Sequence, residues 1–147
     1  MANEYAAAAD VLATLGADIK DDLAKDTDLG TDYTLPLIEQ CSRLADTYLA
    51  ARYTVPVTNA TAIAALTPHV VNMARWMLLE RRFSGRYDTE GARWLYEQAL
   101  AWLKDARDGK CDLPGADTKG DTAATTAGTT SWTSNTVMYP VGYPRGF

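Results

Sequence analysis

The run Pro68 to Arg82, PHVVNMARWMLLERR, restricts this chain more than any other stretch. Its apolar positions Val70, Met73, Ala74, Met77 and Leu78 recur at i, i+3, i+4, i+7 and i+8, one face of a helix with 3.6 residues per turn. Arg75 and Arg82 lie off that stripe, and Arg81 continues it at the helix end. The Thr67 hydroxyl can cap the start, and Pro68 suits the first helical position because its missing N–H would have no intrahelical partner there. A helix is therefore expected to begin at Pro68 and to break at Gly85.

The segments around it read as further helices. Glu4 to Leu15 is Ala-rich, with Tyr5, Ala8, Ala9, Leu12 and Leu15 near helical spacing and Gly16 as a stop. Ile19 to Ala24 can add a short turn, followed by an acidic loop from Lys25 to Tyr33. A second helix is expected from Pro36 to about Arg52, with Leu37, Cys41, Leu44, Ala45, Tyr48 and Leu49 on one face. Tyr53 to Val57 reads as extended, and Thr58 or Asn59 can cap a short helix over Ala62 to Leu66. The last long helix should run from an Asp88 cap to Asp108, with Gly109 after it. Its core face carries Leu95, Ala99, Trp102, Leu103 and Ala106, and Trp94 leads into that face from a turn earlier.

At 147 residues the chain suits one domain whose core needs neither metal nor disulfide. Residues 1–114 are expected to form an all-α domain, a compact bundle of about four helices. After Pro114 the composition turns to Gly, Ala, Thr, Ser and Asp, so residues 115–147 read as a linker and an extended, non-helical C-terminal arm. That arm ends in Trp132, Val137, Met138, Tyr139, Tyr143, Arg145 and Phe147, more aromatic surface than a solvating tail carries. Its end either folds back on its own helices or docks on a neighbouring subunit or partner. Docking would run through Trp132, Met138, Tyr139, Tyr143, Arg145 and Phe147.

Chemistry is sparse. His69 is the only histidine, expected in the first helical turn, which leaves no pair for zinc and no HExxH. No Gly-x-Ser-x-Gly elbow occurs. Gly109-Lys110 lacks the rest of a phosphate loop and reads as a helix stop. Asp26 to Asp32 alternates acids as a calcium loop does, but the glycine is displaced and Leu37 stands where a bidentate Glu is required. Cys41 and Cys111 form no metal pattern, and Cys41 reads as a small core residue. No catalytic residue, metal or cofactor is therefore expected. The formal net charge is -5, with no basic stripe of the kind that grips phosphate, which argues against direct DNA binding. A secretory signal and a membrane span are both missing, so a soluble protein of a reducing cytoplasm is expected. Arg75, Arg81, Arg82 and Arg86 can pair with the chain's own carboxylates or with those of a neighbouring subunit.

The order of these elements resembles a known family. Ala45-Asp46-Thr47-Tyr48-Leu49-Ala50-Ala51-Arg52-Tyr53, then Val55-Pro56-Val57, then Pro68 with Asn72-Met73-Ala74-Arg75-Trp76-Met77-Leu78 is similar to the head-to-tail connector proteins of tailed bacteriophages, of the Mu-type head-completion or adaptor family. The likeness continues through Tyr96 to Lys104, Gly109-Lys110, Leu113-Pro114 and the closing Arg145-Gly146-Phe147. The Thr118 to Ser131 stretch and the early acidic loop depart from it. The resemblance implies a structural virion protein without enzymatic activity. Its subunits form a homo-oligomeric ring, commonly of twelve copies, beneath the portal protein at the capsid vertex, in the virion neck, joined to the stopper or tail-completion protein. Such a protein is made in the host cytoplasm, and DNA passes through the ring without sequence-specific binding. A neighbour-facing role for Arg75, Arg81 and Arg82 would suit that ring. The alternative reading is a small helical DNA-binding regulator with Pro68 to Arg82 as its recognition helix.

Overall fold

The computed structural model describes residues 4–25, 33–83, 85–87 and 89–119. Among these residues there are five helices: α1 (Ala8–Ala13), α2 (Ala17–Lys25), α3 (Thr34–Leu49), α4 (Ala60–Phe83) and α5 (Glu90–Arg107). The chain is all-α. α3, α4 and α5 form the body, with α1 also packed on α3 and α4. The described residues contain no strand, and Tyr53 and Thr118 make an isolated antiparallel bridge.

The expected pair of helices at Ala62–Leu66 and Pro68–Arg82 is one continuous helix, α4, with Pro68 in its interior. An interior proline loses one backbone hydrogen bond and crowds the carbonyl four residues back, at a cost of roughly 3 kcal/mol. Burial on both sides of it offsets that cost, since Ala62, Leu66 and Val70 are fully buried and Met73 is too. Pro68 and Ala64 are both exposed, so the Ala64 carbonyl that loses its donor lies on the water side. Thr67 consequently caps nothing. Its hydroxyl donates to the carbonyls of Ile63 at 2.9 Å and Tyr5 at 2.8 Å. The cap is Asn59, whose Oδ1 accepts from the backbone N–H of Thr61 at 2.9 Å.

α4 is also more than amphipathic. The stripe Val70, Met73, Ala74 and Leu78 is buried as expected, but so are Val71, Leu79 and Phe83 on other sides. α3, α5 and α1 surround this helix and cover most of its circumference. Two apolar clusters result. The larger joins Ile38, Cys41, Leu49, Leu66, Met73 and Leu103, and the smaller gathers Leu15, Leu37, Leu78, Leu79 and Phe83 under α2.

Other boundaries moved for identifiable reasons. α3 begins at Thr34, two residues before Pro36, because a proline in the first turn gives up an N–H that no carbonyl awaits. It stops at Leu49 instead of Arg52. α1 is much shorter than Glu4–Leu15, because Tyr5 is drawn out of the helix into the core, where it is 3% exposed. α5 starts at Glu90, two residues after the expected Asp88, which lies outside the described residues. Its exit is as expected, with Gly109 at φ 78°, a left-handed turn that favours glycine. Trp94 does not join the core face: Ala92, Ala99, Leu103 and Ala106 do, and Trp94 is 59% exposed.

Candidate interaction surfaces

Two tyrosines fasten the ends of the described chain to the body. Tyr5 receives a hydrogen bond at its hydroxyl from the Val57 N–H at 2.9 Å and donates to the Asp46 carboxylate. Its N–H donates to the buried Ser42 hydroxyl at 3.2 Å. Burial and the Asp46 contact both raise its pKa, so the phenol stays protonated. Tyr53 accepts at its hydroxyl from the Leu113 N–H at 3.0 Å and from Arg52 at 3.1 Å. Arg52 also donates to the Cys111 carbonyl at 3.2 Å and pairs with Asp112 at 2.7 Å. Backbone bonds from Thr54 to Asp117 and from Lys119 to Arg52 hold the chain beyond Pro114 against the end of α3 as far as Lys119.

The sulfur and imidazole groups are structural. Cys41 is fully buried and donates to Met77 at 3.6 Å, and burial pushes its thiol up to about 12. His69 sits in the middle of α4, away from any helix start, and its ring stacks on Trp102 at 4.1 Å between centroids and 12° between planes. Burial holds its imidazole below the usual range, so it is neutral at pH 7. Among the described residues no group of three or more His, Cys, Asp or Glu could hold a metal ion. No described helix is long and apolar enough to cross a membrane.

The arginines divide. Arg81 reaches across to α3 and donates to Gln40 at 3.0 Å. Arg82 lies over the Tyr33 ring at 4.5 Å, a cation–π contact within the chain. Arg86 bonds Asp22 at 3.2 Å, and the Tyr87 hydroxyl donates to the same carboxylate at 2.6 Å, which lowers the Asp22 pKa. The Arg75 Nε is buried and has no hydrogen-bond partner among the described residues, and the same holds for the Nε of Arg82, whose guanidinium meets the Tyr33 ring. Arg75 and Arg82 are seven residues apart, on one side of α4, while Arg81 points to α3. Trp132, Met138, Tyr139, Tyr143, Arg145 and Phe147 lie outside the described residues.

Two grooves flank α4 on different sides. Between α4 and α5, the stacked rings of Trp76 and Tyr96, 4.4 Å apart, line a groove of ≈ 420 Å³ with Glu80, Glu90, Arg93 and Glu97. Between α1 and α4, a more apolar groove of ≈ 510 Å³ is lined by Ala13, Ala64, Pro68 and Val71, with Asp10 and Asn72. Sequence reading missed this second groove, because it exists only where the open side of α4 meets the short α1. The signal available was the spacing Ala64, Pro68, Asn72, Arg75, which falls on one side of a helix that runs unbroken through Pro68.

A family model described as "Bacteriophage Mu, Gp36" matches residues 5–131. The match begins at the buried Tyr5 and takes in all five helices and the strapped segment to Lys119. No curated protein matches the chain.

Proposed function

The chain belongs to the bacteriophage Mu Gp36 family, and from that premise we propose that it is a head-to-tail connector adaptor, a subunit of a ring that joins the portal to the stopper or tail during phage assembly. The observation that carries the reading is the family match across the whole helical body. The arrangement of that body agrees with it. A long central helix wrapped by three others makes a stiff wedge, suited to repeated contacts around an axis. A net charge of -5 suits a surface that lets DNA pass by like-charge repulsion. The proposed role involves no reaction.

The DNA-regulator reading fits less well. A recognition helix must expose one face along its length to enter the major groove. α4 is buried on most sides, and Arg81 and Arg82 make contacts within the chain. Electron microscopy of purified capsids with and without this protein tests the proposal: a ring at the portal vertex is expected only when it is present. A shift of duplex DNA at moderate salt, with no particle at the vertex, would favour the regulator.

A further inference from the structure

The connector between α3 and α4, residues 50–59, is held by both ends of the described chain. Beyond the turn that closes α3 it has no backbone ladder of its own, so its polar groups find partners elsewhere. Two come from the C-terminal side. The Thr54 N–H donates to the Asp117 carbonyl at 2.8 Å, and the Arg52 carbonyl accepts from the Lys119 N–H at 2.7 Å. One comes from the N-terminal side, where the Val57 N–H donates to the Tyr5 hydroxyl at 2.9 Å.

Packing repeats that pattern. Tyr53 and Val57 of the connector lie in one buried apolar cluster with Tyr5 from one chain end and Leu113 from the other. Gly115, at φ 75°, comes so close to the connector that a Cβ there would stand 2.6 Å from the Asn59 Oδ1, the atom that caps α4. The strap of residues 111–119 therefore meets the connector from Arg52 to Thr54 and again at Asn59. Tyr5 meets it at Val57, between those contacts.

We propose that this connector couples the two chain ends, so that the strap and the segment at Tyr5 open as one unit, before the helical body does. The physical reason is conformational entropy. Ordering a connector that has no secondary structure is costly, and contacts that order it from one end make ordering from the other end easier. Losing either set leaves the other on a looser stretch. Such coupling is reciprocal: whatever engages the chain after Lys119 acts on the segment at Tyr5, and the reverse. The inference stands on these contacts and does not rest on the adaptor reading.

Native-state amide exchange of the full chain tests it, with wild type, Lys119→Pro and Tyr5→Phe. In wild type the Tyr5, Thr54, Val57 and Leu113 amides should exchange at similar opening free energies, at least about tenfold faster than the Met73 and Leu103 amides inside α4 and α5. Lys119→Pro removes only the strap's own donor to the Arg52 carbonyl and its side chain. It should nevertheless speed exchange at Tyr5 and Val57 as much as at Thr54 and Leu113, about fivefold, the effect of one net hydrogen bond. Tyr5→Phe should in turn speed exchange at Thr54 and Leu113. Gly115→Ala, which must push Asn59 aside, gives a second strap variant and should repeat the Lys119→Pro pattern. Strap variants that leave the Tyr5 and Val57 amides at wild-type rates would overturn the coupling. So would wild-type amides at these four positions that exchange as slowly as Met73 and Leu103, since the ends would then open only with the whole body.

Discussion

At the scale of single residues, hydroxyl and imidazole groups decide how the ends and the centre of the body hold together. Tyr5→Phe keeps the ring in the core but strips the acceptor from the Val57 N–H, which is left buried without a partner. A loss of roughly 1–3 kcal/mol in urea unfolding is expected. No change would mean that the hydroxyl bond carries no weight. His69 makes stability depend on pH in a definite direction. A depressed imidazole binds fewer protons folded than unfolded, so its contribution is complete above the unfolded value of about 6.5 and fades as pH falls toward the lower folded value. His69→Phe preserves the stack on Trp102 and should flatten the fall in melting temperature between about pH 7.5 and about pH 5.5. Neither role was legible beforehand. Tyr5 lies in an Ala-rich run whose propensity is helical, and only contacts with residues 37 to 62 positions away draw it out.

At the scale of elements, the apolar spacing from Val70 to Leu78 disclosed the main helix, and the burial of those residues agrees with it. What the spacing could not disclose was the helix's start. Proline is a start signal when the residues before it have nothing to gain from helical geometry, and here Ala62 and Leu66 gain full burial. The same reasoning yields a prediction. Pro68→Ala should restore a backbone hydrogen bond within α4 and raise the melting temperature, whereas a proline at a true first position would give no gain. Leu78→Ala should lower stability by roughly 2–5 kcal/mol, because the side chain is fully buried between α4 and its neighbours. Trp94 was misread for a related cause: a position one turn ahead of a core stripe can fall on either side of a helix, and the outer side won.

At the scale of the whole molecule, the five helices supply a body with its distinctive features on the outside. Those features are the exposed Trp94 and the apolar groove between α1 and α4. Family and all-α class were legible in the order of motifs from Ala45 to Pro114, because motif order survives where single positions are ambiguous. The surfaces were not, since they arise from residues far apart in the chain. Deleting Tyr139 to Phe147 should leave helix content and melting nearly unchanged while abolishing attachment to portal-bearing capsids. A large loss of stability would instead assign that segment to the subunit's own packing. The proposed role as a ring-forming adaptor is tested by imaging purified capsids incubated with the full chain. A ring of added density at the portal vertex and nowhere else on the capsid is expected; capsids that bind none of the protein, or bind it over their whole surface, would overturn that role.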